Sequence, residues 1–224
     1  MRFVPPWIVL VAGLLSAGGA PAFAQEGGSL RGEVITPLRV EVPGAVVVAI
    51  GRGGGALGLT ATGENGRLAL DGLPPGVYDV LVDGEGFRPV RVENLEIDPP
   101  YRAVAEAVLR PGLERLPAVE LPAEQGEDGV RIVVSDLRRR PLSRVQVEMV
   151  PVGHRANPRV GRTDGQGRLR LDAPAGAWRL TIRRAGWIPV VVPRLSWPGG
   201  ELSVISRLVP LPTDARVPVS EILP

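Results

Sequence analysis

Short stretches in which apolar and polar residues alternate recur along the chain and predict β-strands. From Trp178 to Arg183 every second residue is apolar, and the residues between them are arginine or threonine. The stretches 78–83 and 145–149 show the same period of two. Because successive side chains of a strand point to opposite faces of a sheet, each stretch has one face to bury and one face for water. The pattern predicts an antiparallel β-sandwich.

Turn-forming residues between these stretches support an all-β fold. The 224 residues include 29 glycines and 24 prolines, which interrupt the chain too often for long helices. Gly66 and Gly167 stand in turn sequences, Glu-Asn-Gly and Gly-Gln-Gly, that suit a backbone with positive φ.

The chain repeats itself at a spacing of about 100 residues. Residues 62–71 (TGENGRLALD) return as 163–172 (TDGQGRLRLD), and residues 73–82 return as 173–182. Upstream, we align 44–48 with 143–147, at a spacing of 99 residues. A unit of this length is a domain rather than a solenoid repeat. We expect about seven short strands in each copy.

The repeat and the termini predict the domain boundaries. We predict that residues 1–24 are a signal peptide and that residues 25–122 form a first β-sandwich domain with an extended C-terminal segment. Residues 123–128 are predicted to be a linker. Residues 129–224 read as a second β-sandwich domain with its own extended C-terminal segment.

Several motifs of the first copy, in their order, resemble the carboxypeptidase regulatory-like domain. They are residues 44–48, Thr62 with Gly66, residues 73–78 and residues 86–87. The resemblance implies a transthyretin-like Greek-key β-sandwich, and modules of this family usually accompany a function rather than perform it.

The second copy resembles the same family and departs from it in two places. Thr163, Pro174 and Gly176 stand at the matching positions. Leu-Ser-Arg at 142–144 replaces the usual Pro-Gly-Ala, and Trp178 stands where the family has tyrosine.

The first residues have the parts of a secretory signal peptide. A positive charge at Arg2 is followed by an apolar run from Trp7 to Leu15 and by an Ala-x-Ala site that ends at Ala24. We expect cleavage after Ala24 and export to the periplasm or the cell surface, with no stable membrane span left after cleavage. The alternative is an uncleaved membrane anchor, for which the apolar run is short. The chain contains no cysteine, which excludes disulfides.

Opposite charges characterise the two halves. Residues 25–110 carry eight arginines and twelve acidic residues, a net charge of −4, and residues 111–224 carry seventeen arginines and twelve acidic residues, a net charge of +5. The chain has no lysine, so every cationic side chain is a guanidinium. This pattern reflects either a compositional preference for arginine or recognition of anions through forked hydrogen bonds.

The sequence lacks the constellations of zinc and serine hydrolases, and we predict no enzyme and no cofactor. Counting alone leaves paired carboxylates for glycoside hydrolysis open, but the acidic residues fall mostly at outward strand positions or in turns. Zinc hydrolysis needs several histidine or carboxylate ligands. The single histidine, His154, lies in the polar segment 153–158 and is expected to be a solvated loop residue. No serine lies in a Gly-x-Ser-x-Gly elbow. The glycine-rich residues 51–55 lack the features of a phosphate-binding loop and read as a flexible hairpin loop.

Two features of the second copy are candidate sites of contact with a ligand or partner. Arg138, Arg139 and Arg140 form a basic run between two predicted strands, either simply solvated or in contact with an anionic partner. Trp197 reads as a loop residue that either stacks on a sugar ring or caps the end of the sandwich. Nucleic acid is not expected as a partner, because the arginines are not interleaved with aromatic residues.

An apolar stripe on a strand face that is expected to be exposed to solvent is a third candidate contact site. With the alignment above, Ala45, Val47 and Ala49 of the first copy stand where the second copy has arginine, glutamine and glutamate. Such a stripe indicates either a contact within the protein or a partner site.

The segment 115–122 also has a counterpart near the end of the chain. Arg115, Pro117 and Glu120 recur 101 residues later within 216–224. We predict that both segments are ordered and extended along an edge of their own sandwich; the alternative is a pair of similar, flexible, proline-rich segments.

Together these observations predict an exported, non-catalytic interaction or binding module of the cell envelope. Its partner is expected to be an envelope protein or a glycan. The alternative function is carbohydrate binding by Trp197 and nearby arginines.

Overall fold

A computed structural model describes residues 27–122 and 128–212. The predicted signal peptide and the segment 216–224 lie outside the described residues. In the described ranges the regular structure consists of fifteen β-strands, which confirms the all-β fold. No helix within these ranges is long and apolar enough to cross a membrane.

The first repeat is a sandwich of seven strands. A three-stranded sheet has the order β4-β1-β7, and β3-β2-β5-β6 form the facing layer. Pairing is antiparallel except between β1 and β7. The strands are β1 (Gly28–Ile35), β2 (Val46–Gly51), β3 (Ala56–Ala61), β4 (Arg67–Leu73), β5 (Gly76–Asp83), β6 (Val90–Ile97) and β7 (Arg102–Val108).

The second repeat has the same seven-stranded plan, preceded by a short strand β8 (Val119–Glu120). Its two layers have the orders β12-β9-β15 and β11-β10-β13-β14. The number of strands therefore agrees with the sequence prediction. The strands are β9 (Gly129–Ser135), β10 (Gln146–Pro151), β11 (Arg159–Arg162), β12 (Arg168–Leu171), β13 (Gly176–Arg183), β14 (Val190–Trp197) and β15 (Glu201–Arg207).

A buried threonine at the same place in each repeat shows how closely the local structure is duplicated. The Thr62 hydroxyl accepts a hydrogen bond from the backbone N–H of Ala45 at 2.9 Å and donates one to the carbonyl of Val42 at 2.6 Å. These bonds satisfy backbone groups that the sheet leaves free where β2 begins. The equivalent residues of the second repeat are Thr163, Val145 and Leu142, with distances of 3.0 and 2.6 Å.

This threonine motif corrects the alignment of the second strand. The true spacing there is 100 residues, because Gly44 and Arg144 occupy the same left-handed position, with φ of 71° and 57°. A shift of one residue moves a whole strand's side chains to the opposite face. Ala45, Val47 and Ala49 therefore point into the core of the first repeat and are fully buried.

The two repeats share a sheet. β15 of the second repeat pairs in parallel with β3 of the first, from Ser203 opposite Ala56 to Arg207 opposite Thr60. The result is one seven-stranded sheet with the order β12-β9-β15-β3-β2-β5-β6. We call this pairing, with the contacts around it, the joint.

The outer face of the first repeat is covered by the second. Its apolar residues belong to the same buried cluster as the core of the second repeat. Burial of this stripe removes apolar area from water and so stabilises the joint. The residues concerned are Val46, Val48, Ile50, Leu57, Leu59 and Leu81.

The segment that follows the first repeat belongs structurally to the second. β8 pairs in parallel with β14, and Leu116, Val119 and Leu121 are buried in the second repeat's core cluster. The prediction that residues 115–122 lie along an edge of their own sandwich is therefore wrong. The three apolar side chains are buried between the repeats instead.

Candidate anion-binding site

Trp197 is a core residue. It is the last residue of β14, it is 3% exposed, and it packs in the cluster that holds the second repeat and β8. The loop expected at this position begins only after Trp197. Because the indole is buried, neither face of its ring is accessible to a ligand. The prediction that Trp197 stacks on a sugar is therefore wrong, since the tryptophan is buried in the described structure.

The basic run at 138–140 is partly engaged within the chain. The Asp136 carboxylate accepts backbone hydrogen bonds from Arg138 and Arg140 at 2.8 Å each, and Arg140 Nε contacts it at 2.9 Å. Arg139, with φ of 61°, reaches Asp71 of the first repeat at 2.9 Å. The run supports a turn and the joint, and its exposed side chains remain accessible at one edge.

The predicted apolar contact stripe lies in the wrong register. Ala45, Val47 and Ala49 are buried in the first repeat's core and cannot touch a partner. The outward apolar residues are their neighbours, such as Val48 and Ile50, and these pack against the second repeat. Of the two readings of an apolar stripe, the structure therefore shows a contact within the protein.

His154 is not a solvated loop residue. Its ring packs edge-on against Trp178, with centroids 5.0 Å apart and planes at 80°. Both ring nitrogens are buried without a hydrogen-bond partner in the described structure. A Cβ at Gly176 would lie 2.8 Å from the ring, so the glycine makes room for it. His154 closes one end of the core beside Trp178.

An open cavity of about 540 Å³ lies on the outer face of the second repeat. It is formed by β10, β11, the end of β13 and the turn that precedes β14. We call it the arginine pocket. Its lining residues are Arg144, Gln146, Arg162, Arg183, Arg184, Ala185, Trp187 and Pro189.

Strand register brings these arginines together. Gln146 on β10 lies directly opposite Arg162 on β11 and opposite Arg183 on β13. Directly opposed residues in antiparallel strands have Cβ atoms about 5 Å apart. Both guanidinium groups therefore extend from one face on either side of Gln146.

Two residues in turns complete the pocket. Arg144 takes a left-handed conformation, with φ of 57°, two residues before the start of β10. Arg184 lies over the ring of Trp187, with Cζ 5.8 Å from the centroid. This cation–π contact holds the guanidinium beside an aromatic surface.

The charge of the pocket is uncompensated in the part of the chain that the structure describes. None of its four arginines makes an ion pair there, although eleven ion pairs occur elsewhere. The first repeat has no such site: Val46 stands for Gln146, and it faces Ala61 and Asp83. The sequence analysis missed the pocket because it treated each outward arginine separately. The available signal was an arginine at an outward position of each of two strands, Arg162 and Arg183.

A second cluster of arginines surrounds a buried carboxylate at the joint. Asp71 contacts Arg31 at 2.7 Å and Arg139 at 2.9 Å, and it also pairs with the buried Arg207 of β15. Burial alone would raise the pKa of Asp71, but the hydrogen bonds from Arg31 and Arg139 and the charge of Arg207 hold that pKa below its usual value. This cluster is fully engaged in holding the repeats together.

Metal chemistry has no candidate centre here: within residues 27–122 and 128–212, no group of three or more His, Cys, Asp or Glu side chains could hold a metal ion.

Comparison with known proteins gives one family match. Residues 29–110 match the carboxypeptidase regulatory-like domain, and this confirms the resemblance for the first repeat. No curated protein matches the chain.

Several solved structures are similar to the chain at low sequence identity. The TIE protein of Bacillus anthracis is 15% identical with a TM-score of 0.31, over 83% of this chain and 34% of that one. A streptococcal ancillary pilin is 13% identical with a TM-score of 0.29, over 84% and 64%. The major pilin subunit of Bacillus cereus is 9% identical with a TM-score of 0.30, over 83% and 100%. Similarity at this level assigns neither a partner nor an activity to the chain.

Proposed function

We propose that this chain is an exported, non-catalytic binding module of the cell envelope that binds an anionic glycan in the arginine pocket. In this proposal the second repeat is a further copy of the carboxypeptidase regulatory-like domain, modified on its outer face. The observation that carries the proposal is the set of four guanidinium groups without ion-pair partners in the described structure, gathered around one cavity of about 540 Å³.

The chemistry of the pocket favours an oxyanion. A guanidinium presents its N–H donors in a planar fork that matches carboxylate, sulfate and phosphate groups. Gln146 adds both a donor and an acceptor between Arg162 and Arg183, which suits a hydroxyl group next to the anion. Trp187 adds apolar lining beside the Arg184 guanidinium, against which part of a sugar can pack.

The shape of the pocket favours part of a polymer. Its volume is in the range of small-ligand sites. The pocket is not enclosed, however, and it is open to solvent along the outer face of the sheet. An acidic sugar within a longer chain can enter such a site while its neighbours extend over the surface. The alternative function, carbohydrate binding, thus becomes binding of an acidic sugar, with Trp187 in place of Trp197.

Export is the second part of the proposal. It rests on the signal-peptide features of residues 1–24. N-terminal sequencing of the exported protein should find Gln25 as the first residue. Recovery of protein that begins at Met1 in the membrane fraction would contradict it.

Calorimetric titration with oligogalacturonate, at several salt concentrations, tests the pocket. Replacing Arg162 and Arg183 together by glutamine should weaken binding at least about tenfold, because each removes charge-assisted hydrogen bonds. The matched control replaces Arg67 and Arg110 of the first repeat by glutamine, which changes the net charge equally. Equal weakening in both variants, or no binding by the parent protein, would contradict the assignment.

A further inference from the structure

The segment after the first repeat completes the sheet of the next repeat. Val119 and Glu120 of β8 lie opposite Leu195 and Ser196 at the edge of β14. The N–H of Leu121 donates to the carbonyl of Ser196 at 3.0 Å. A proline-rich segment that leaves one repeat therefore covers a free strand edge of the following repeat.

The parts of this arrangement recur in the chain without a partner in the described structure. Residues 216–224 repeat the spacing of arginine, proline and glutamate found in residues 115–122. β6 is the first-repeat equivalent of β14, and it ends the seven-stranded sheet with no further strand beside it in the described residues. Leu95, the counterpart of the fully buried Leu195, is only partly buried.

The edges that form the joint also have unpaired counterparts. β15 corresponds to β7 of the first repeat, and β3 corresponds to β11 of the second. Each counterpart has a single neighbour among the described strands: β7 pairs with β1, and β11 pairs with β10. Both present exposed apolar side chains, with Val104 on β7 at 72% and Val160 on β11 at 56%. Open strand edges of this kind are templates for pairing with another chain.

One ion pair of the joint has exposed counterparts as well. Within the chain, Asp71 of the first repeat meets Arg139 of the second. The matching residues are Asp172 of the second repeat and Arg39 of the first. The Asp172 side chain is 90% exposed and lies 3.9 Å from Arg170, and the Arg39 side chain is 72% exposed and lies 3.4 Å from Glu106. Arg39 and Arg139 share the same left-handed backbone, with φ of 60° and 61°. Asp172 in the second repeat and Arg39 in the first thus carry opposite charges at positions equivalent to those of the Asp71–Arg139 pair.

We propose that the chain associates head to tail with a second copy of itself by repeating the joint between molecules. β11 of one copy pairs with β7 of the next, Asp172 faces Arg39, and residues 216–224 cover the β6 edge of the next copy. Such a contact is heterologous and leaves the same edges open at each end, so it extends into a linear assembly. This proposal goes beyond ligand binding, and its contact borders the arginine pocket, because β11 carries Arg162.

Weak, concentration-dependent association is expected. The polar outer face of the second repeat offers less apolar area than the corresponding face of the first. Glu96 and Glu221 would also face each other where the chain has Ser196 and Glu120, and facing like charges are unfavourable. Replacing Glu96 by serine should therefore strengthen association.

A charge exchange tests the contact between copies. Sedimentation equilibrium of the protein without its first 24 residues should show dimers and larger species that increase with concentration. Arg39→Asp and Asp172→Arg should each weaken association about tenfold, and the double variant should recover it. A monomer at all concentrations, or single variants that associate like the parent, would overturn the proposal. Titration with oligogalacturonate at protein concentrations below those of association reports on the pocket separately.

Cysteine trapping tests the strand that covers β6, because the natural chain has no cysteine to interfere. Cysteines at positions 96 and 221, in place of the two glutamates, should form disulfides between chains and give a ladder of oligomers. The matched control carries cysteines at positions 120 and 196, which face each other within one chain and should give a bonded monomer. A bond within one chain in the test variant, or no bond, would overturn the docking of residues 216–224 on a second copy.

Discussion

At the scale of single residues, equivalent positions in the two repeats perform different tasks. Asp71 is buried and paired with arginines from both repeats, whereas the side chain of Asp172 at the same strand position is exposed. Removing one partner from a buried ion pair leaves an uncompensated charge, which costs far more than losing an exposed contact. The pair therefore offers an internal control for the charge cluster of the joint.

Replacing Asp71 by asparagine should lower the free energy of unfolding at pH 7 by about 3–5 kcal/mol, because Arg207 is left buried without its counter-ion. Asp172→Asn should change it by less than about 0.5 kcal/mol. Urea unfolding of both variants measures the difference. Equal effects would mean that the cluster does not hold the joint.

The same substitution should change how stability depends on pH. The pKa of Asp71 in the folded protein lies below its unfolded value, so its ionised form stabilises the fold above about pH 4. That contribution is lost as the pH falls through the folded pKa. The parent protein should therefore lose stability below pH 4 more steeply than Asp71→Asn, as urea unfolding at pH 2 to 7 would show. Parallel curves would contradict the role of this carboxylate.

Tyr78 and Trp178 are the aromatic core residues of the two repeats. They are 1% and 0% exposed, and each donates a hydrogen bond to a proline carbonyl, Pro74 at 2.8 Å and Pro174 at 3.1 Å. Replacing either by alanine should destabilise the protein by about 3–5 kcal/mol. Tyr78→Phe, which removes only the hydroxyl, should cost about 1 kcal/mol. Thermal unfolding measures these losses, and a Tyr78→Ala variant as stable as the parent would mean that the core is wrongly placed.

At the scale of elements, a strand of only two residues has a large structural effect. β8 completes the edge of β14, and its residue Val119 is fully buried, whereas Glu120 is exposed. Because the segment lies between the repeats, it covers the outer face of one and the sheet edge of the other. In sequence, the segment is the C-terminal extension of the first repeat, but its side chains pack in the core of the second repeat.

Val119→Asp should detach β8, because a buried carboxylate without a partner costs several kcal/mol. Hydrogen exchange should then show faster exchange of the Leu121 amide, which donates to Ser196. Glu120→Ala, at the neighbouring exposed position, is the control and should leave exchange unchanged. Unaltered protection in Val119→Asp would contradict the role of β8.

At the scale of the whole molecule, the two repeats share a sheet and a buried cluster, so we expect them to unfold together. The seven-stranded sheet crosses the boundary between them, and one buried cluster includes residues of both. Two domains joined only by a linker would melt separately, since few contacts would couple them. A shared sheet and core remove that independence.

Calorimetry should accordingly show a single unfolding transition whose calorimetric and van't Hoff enthalpies agree. Tyr78→Ala and Trp178→Ala should each lower the temperature of this one transition. Leu59→Arg, which places a charge in the face that the second repeat covers, should divide it into two. Two transitions in the parent protein would show that the joint is too weak to couple the repeats.

Much of the fold could be predicted because the relevant signals are local or repeated. The period of two in the strands, the glycines of the turns and the ordered motifs of residues 29–110 do not depend on distant contacts. The equivalence of Tyr78 and Trp178 followed from comparing the chain with itself. The seven strands of each repeat required no more information than this.

Only the tertiary structure decided which faces and edges meet. A spacing error of one residue reversed the faces of β2, since adjacent side chains of a strand point in opposite directions. Trp197 is a core residue because β14 extends to it, opposite Gly176 of β13. The arginine pocket exists because Gln146 pairs with residues 16 and 37 positions away. Such contacts depend on register between distant strands. The amino-acid sequence by itself determined the strands and their duplication, and the packing of one repeat on the other determined which side chains were left for a ligand.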